Sequence, residues 1–263
     1  MAARPLATRI TDFLGLFALR FIRTLLLALP LETGVWICGK LWRLLAPLHP
    51  RHKRALRHIE YALGKDHDLK AIRAIAADMW ESIGRTFAEG LVMERVMRQP
   101  DRFDASVDAF ANNWVKTENG SVIVTHHFGN WELASAAAVL FSDKRVLGLY
   151  KRIKNPEVER FITGIREVGY PGGLYSDRGN GARRAVATIR DGGDMAMVAD
   201  LRDPKGVEVA FLGRSMMASQ FPASLSRRYG KPLFAAQMRR VKPARFVLDL
   251  VEIPVPVTDN VSD

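Results

Sequence analysis

Apolar residues repeat with two different periods along this chain, and the change of period divides it. Over the first hundred residues they recur every three or four positions, as in Ile72, Ile75, Ala76, Met79, Ile83, Phe87 and Leu91, the spacing of an amphipathic helix. That spacing predicts helices over 13–29, 35–46, 51–63 and 69–96, with Pro47, Pro50 and Pro100 as stops and Gly84 or Gly90 as breaks in the last. From residue 121 the pattern becomes short β-branched or apolar runs alternating with helical stretches. Strands are predicted at 121–125, 145–150, 195–199, 233–239 and 246–251. Helices are predicted at 131–141, from Pro156 to about 167, at 182–190 and at 219–229. Strand-helix-strand alternation implies an α/β fold with a largely parallel central sheet flanked by helices. The expected layout is a helical region over 1–100 and an α/β core over 101–263, integrated as one domain.

The first helix changes the picture. It is apolar except for Arg20, Arg23 and Thr24, and two mid-segment arginines make a simple membrane span expensive. At about 100° per residue, Arg9, Asp12, Arg20 and Arg23 fall on one face. That suits a helix lying in a membrane interface, with its arginines toward anionic headgroups. The plain alternative is a soluble amphipathic helix packed on the domain. The next two helices interleave Trp36 and Trp42 with Lys40 and Arg43, then cluster Arg51, Lys53, Arg54 and Arg57, which suits a headgroup boundary.

Composition points the same way. The 263 residues are 48% apolar, enough for a core, and carry a formal charge of +11, which calls for an anionic partner. Nucleic acid is the rival to a phospholipid surface. No helix-turn-helix, zinc spacing or aromatic RNA-binding strand accompanies the charge, so no nucleic-acid partner is expected. The lone Cys38 excludes an internal disulfide and reads as packing.

The candidate chemistry sits at the end of the 121–125 strand, in His126-His127-Phe128-Gly129-Asn130-Trp131-Glu132. Asn130 is a good N-cap and Glu132 falls in the first helical turn. The histidines then lie at the carboxyl edge of the sheet, where open α/β sheets place their sites. With four residues between them, His127 can act as a base and Glu132 as the acid that orients it. On spacing alone this reading and the plain one, loop histidines and a helix-start acid, stand level. The remaining glycine pairs lack P-loop or dinucleotide spacing, no Gly-x-Ser-x-Gly elbow occurs, and no third ligand completes a metal site. Neither a metal nor another cofactor is expected.

The motif resembles the His-x4-Asp/Glu motif of the glycerolipid acyltransferases. In its Glu form, before a small-residue helix, it is similar to that of the late lipid A biosynthesis acyltransferases. Further blocks follow in order: Tyr150-Lys151-Arg152-Ile153-Lys154-Asn155-Pro156, a helix carrying Arg166, Val198-Ala199-Asp200, and Phe211-Leu212-Gly213. The likeness runs from about Val35 to Val257. Two departures stand out. Leu201 and Arg202 follow the strand-end Asp where members often carry Gln, and the usual further helical stretch does not follow 247–251. The sequence therefore reads as a short or truncated member.

The resemblance implies an acyltransferase moving a fatty acyl chain from an acyl carrier protein or acyl-CoA thioester to a hydroxyl of a lipid A precursor. It implies attachment through the N-terminal region at the cytoplasmic face of the inner membrane, in contact with anionic phospholipid. His127 would be the general base, Glu132 its orienter, and Arg166 and Asp200 further catalytic residues. Lys151, Arg152 and Asn155 would bind substrate. His126 misses the spacing by one. Arg166 read as a solvated helix residue would contribute little to stability. The alternatives are another glycolipid or aminolipid acceptor, or a non-catalytic membrane-binding protein of the same fold.

Overall fold

The run predicted at 121–125 is the central strand of the sheet. The structure, a computed structural model, describes residues 5–105 and 114–256. By contact it falls into two compact units, Met1–Phe17 with Met93–Asp263, and Ala18–Val92.

In the first unit, seven strands form one sheet in the order β1-β9-β8-β2-β5-β3-β4. They are β1 (Phe103–Ala105), β2 (Val122–Thr125), β3 (Val146–Tyr150), β4 (Leu174–Ser176), β5 (Asp194–Val198), β8 (Leu233–Lys242) and β9 (Arg245–Ile253). Every neighbouring pair is parallel except the hairpin β8–β9. The mixed α/β fold with a mostly parallel sheet is therefore as the pattern predicts. The chain leaves β2 toward β3 and β4, returns to insert β5 beside β2, then crosses to β8 on the far side. β2 and β5 thus lie at the point where the winding changes direction.

Side chains alternate across β2. Val122 and Val124 pack on one face with Leu147, Met195, Ala185 and Ile189. The last two come from helix α8 (Gly181–Arg190), and Leu225 on the same side comes from α9 (Phe221–Tyr229). Ile123 and Thr125 face the opposite side and line a cleft.

Three differences from the sequence pattern have physical causes. The 131–141 run splits into a 3₁₀ turn, Trp131–Leu133, and helix α6, Ala136–Phe141. The chain must first cross β8, where Asn130 N–H donates to Met238 O at 2.8 Å, and the tight turn follows directly. Gly129, at φ 56°, makes the crossing possible, because a Cβ there would lie 1.9 Å from Met238 O. Short strands β1 and β4, of three residues each, gave no readable period. The segment after Asp200 forms an unpredicted antiparallel hairpin, β6 (Arg202–Phe211) with β7 (Arg214–Ala218), as a separate two-stranded sheet.

The second unit holds most of α1 (Leu6–Ala28), then α2 (Leu31–Leu45), α3 (Arg51–Leu63) and α4 (Leu69–Leu91), and α5 (Met93–Met97) belongs to the first unit. α4 runs unbroken through Gly84 and Gly90. A Cβ at Gly84 would lie 2.6 Å from the Trp42 Cβ, so this glycine lets α2 and α4 approach rather than ending the helix. Trp42 packs between Trp80 and Phe87, and Trp80 Nε1–H donates to His52, so these indoles are packing and not a headgroup belt. Glu81 binds Lys40 at 2.9 Å and pairs with Arg43 and Arg85. The Lys40 hydrogen bond is the main reason its carboxyl lies below the ordinary range. Cys38 is buried, and burial pushes its thiol up to about 11. Among the described residues no helix is long and apolar enough to cross a membrane. Arg23 is not turned out to headgroups, since its Nε–H donates to Leu91 O at 3.0 Å.

Candidate active site

Parallel pairing of β2 with β5 sets the register of the site. Thr125 stands opposite Val198, and Ala199 N–H donates to Thr125 O. Two residues further along each strand come His127 and Asp200. The Asp200 carboxylate receives the His127 backbone N–H at 2.9 Å and lies 2.7 Å from Nδ1. A proton on Nδ1 donates to Asp200 and leaves Nε2 as the acceptor. The Trp131 ring meets the imidazole edge-on at 4.8 Å between centroids. His127 lines the cleft, whereas His126 stacks on the exposed Phe128.

Glu132 has a different partner from the one its spacing suggested. Helix α7, Pro156–Arg166, ends with its last residue beside the Trp131–Leu133 turn. There Arg166 grips both Glu132 carboxylate oxygens, with Nε 2.6 Å from Oε2 and an Nη on Oε1. The expected Glu132-to-His127 orienting bond is thus replaced by two pairs, His127 with Asp200 and Glu132 with Arg166. The cause is the β2–β5 register, which brings a carboxylate to Nδ1 from the neighbouring strand. Asn130 meanwhile turns Glu132 toward α7 by accepting from Leu133 N–H.

Arg166 is not a solvated helix residue, since its side chain is 23% exposed and that of Glu132 16%. Burial works most strongly against the guanidinium charge, but the Glu132 charge and its hydrogen bonds together outweigh it and hold Arg166 above its ordinary value. Two phenols flank the pair. Burial, then the Glu132 charge, push Tyr170 up. Burial, then the hydrogen bond to Glu159, push Tyr150 up to about 12. Both stay neutral at physiological pH.

The cleft has a volume of about 870 Å³ and gathers His127, Glu132, Arg166 and Lys151 on a largely apolar wall that includes Trp114, Ile123, Leu149 and Leu174. Small residues Ala134 and Ala138 open it on the helix side. Asp200 reaches it through His127. Two of the substrate-binding candidates are engaged elsewhere. Asn155 Oδ1 caps α7 through Glu157 and Val158 N–H, while Nδ2 donates to Asp12 O at 3.0 Å. Arg152 lies 3.5 Å from Glu159. Trp131 and Tyr170 were not anticipated as site residues. The only signal for Tyr170 was its place four residues after Arg166, before Pro171-Gly172-Gly173.

This arrangement can remove a proton from a hydroxyl and hold an apolar chain beside it. A comparison with curated proteins returned no match. The family model described as bacterial lipid A biosynthesis acyltransferase matches residues 3–248, so the chain belongs to the bacterial lipid A biosynthesis acyltransferases.

Proposed function

We propose that this lipid A acyltransferase moves an acyl chain from a thioester, on acyl carrier protein or CoA, to a hydroxyl of a lipid A precursor. The observation that carries the mechanism is His127, held by Asp200 at the mouth of an apolar cleft. His127 Nε2 takes the acceptor's hydroxyl proton as its oxygen attacks the thioester carbon. The new C–O bond forms, the C–S bond breaks, and the imidazolium returns the proton to the departing thiolate. Asp200 fixes the ring and stabilises its cation. Arg166, kept charged by Glu132, and Lys151 supply positive charge for the developing oxyanion or for a lipid phosphate. The apolar wall takes the acyl chain.

Attachment to the cytoplasmic face of the inner membrane completes the proposal. One side of α1 carries Ile10, Phe13, Phe17, Phe21 and Leu25, between 48% and 65% exposed, with Leu6 70% exposed at its start. α3 exposes Arg51, Lys53, Arg54 and Arg57. An apolar stripe and a basic face each suit an anionic bilayer surface. Mass spectrometry of lipid A with and without the protein tests the activity, and parallel assays with acyl carrier protein and CoA thioesters identify the donor. Unchanged lipid A in both backgrounds would reject the proposed acceptor.

A further inference from the structure

The hairpin β6–β7 begins two residues after Asp200, and its first residues, Arg202 to Lys205, line the cleft. Among the described residues it pairs with no strand of the main sheet. Cross-strand partners share a face, and the pairs Val207–Ala218, Val209–Met216 and Phe211–Arg214 put Val207, Val209, Phe211, Met216 and Ala218 on one side, with Arg214 as its single charged member beside Phe211. The β6 half of that side is exposed, Val207 39%, Val209 37% and Phe211 61%, while Met216 and Ala218 on β7 are half-buried. A lone two-stranded ribbon gains little stability in water, and an open apolar face on one needs a partner.

The turn at the tip is informative. Leu212 and Gly213 have φ of 49° and 75°, the two positive values of a two-residue hairpin turn that favours Asn-Gly. A leucine in the left-handed region is strained. Here the strain places a side chain 58% exposed at the outermost point of the ribbon.

β8 extends beyond Ala236, which faces Thr125 at the end of β2, by five residues to Val241, about 16 Å at strand rise. Val241 is 50% exposed. Lys151, Arg178, Arg202 and Lys205 line the cleft from which the hairpin starts, against the acids Asp177 and Asp203. An apolar hairpin tip and a basic cleft rim match an anionic lipid surface.

We propose that the β6–β7 hairpin inserts its Phe211–Leu212 tip into an anionic bilayer and seats the mouth of the cleft on the membrane that supplies the acceptor. This rests on the acceptor being a lipid. A carrier-bound donor would then approach from the aqueous side.

The test uses the full chain. With Cys38→Ser removing the one native thiol, Leu212→Cys carries an environment-sensitive fluorophore, read on vesicles containing roughly one-third phosphatidylglycerol. The expected result is a blue shift with protection from aqueous iodide, absent on neutral vesicles. Leu212→Asn, alone and with Phe211→Ser, tests the consequence. Asn suits the turn, so the melting temperature should equal or exceed wild type. Transfer to acceptor in vesicles should fall about tenfold or more, while transfer in detergent micelles stays near wild type. A label still open to iodide on vesicles that sediment the protein overturns the proposal. So does an equal loss in vesicles and micelles, which would place these residues on the substrate. Burial of the label in a dimer without vesicles overturns it in favour of a second copy. The fluorescence arm needs no turnover, so the hairpin and the acyltransferase readings fail separately.

Discussion

Asp200 holds His127 at two points, accepting its backbone N–H at 2.9 Å and facing Nδ1 at 2.7 Å. One carboxylate therefore fixes both the position of the loop and the orientation of the ring. Replacing His127 by Ala should reduce transfer by roughly 100- to 10,000-fold. Asp200→Asn should cost about as much with little change in KM, because it permits the wrong tautomer while keeping the shape. Steady-state kinetics of both variants decide this. Wild-type kcat in Asp200→Asn would leave His127 without a required partner and return Glu132 to that role.

Glu132 and Arg166 form one unit, and the effects of replacing them should not add. With side chains only 16% and 23% exposed, Arg166→Ala leaves a carboxylate nearly buried and unpaired. The expected loss is about 3 kcal/mol, a drop of roughly 6–12 °C in melting temperature for a domain of this size. Activity should fall with it. Arg166→Lys keeps the charge without the two-pronged grip and should retain part of both. The double variant Glu132→Ala/Arg166→Ala should melt above Arg166→Ala alone, since it removes the orphaned charge. A double variant that melts as the sum of the singles would show that the pair contributes little to the fold.

The site residues were legible in the sequence but their partners were not. His127, Glu132, Arg166 and Asp200 each stand at the end of an element whose period was readable: β2, the turn after it, α7 and β5. Which of them touch depends on the order of strands in the sheet, and nothing local encodes the insertion of β5 beside β2. The helix 131–141 was visible in its small residues, but its interruption is set by a crossing over β8 far along the chain. The β6–β7 ribbon was missed although Val207, Val209 and Phe211 alternate before Leu212-Gly213. Its apolar face lacks the turn chemistry that usually marks a hairpin.

Tyr150 makes stability depend on alkaline pH. Its folded value, about 12 against an ordinary 10.0, means that the folded state favours the neutral phenol. The unfolded chain ionises first. This contribution is complete below pH 10 and is lost as pH rises from 10 toward 12. Tyr150→Phe should therefore show a shallower fall in melting temperature than wild type between pH 10 and 12. At neutral pH it should lose only the hydrogen bond to Glu159, about 1–2 kcal/mol. Parallel slopes in the two proteins would show that Tyr150 titrates normally.

The exposed stripe of α1 should govern attachment, separately from the arginines first assigned to headgroups. Leu16 and Leu26 are buried, and a Cβ at Gly34 would lie 3.0 Å from the Leu26 side chain. Arg23 is committed to Leu91 O. Reversing its charge would therefore disturb packing as well as membrane binding, so it is a poor probe. Phe13, Phe17 and Phe21 face outward at 65%, 60% and 56% exposure, and each is worth about 1.5–3 kcal/mol when buried in an apolar medium. The triple replacement by Ser should weaken binding to anionic vesicles more than tenfold and leave the melting temperature within about 2 °C of wild type, since exposed positions contribute little to folding. Vesicle co-sedimentation beside a thermal melt checks both. Full retention on vesicles would assign attachment to other surfaces, such as the exposed cations of α3, whose contribution added salt would then remove.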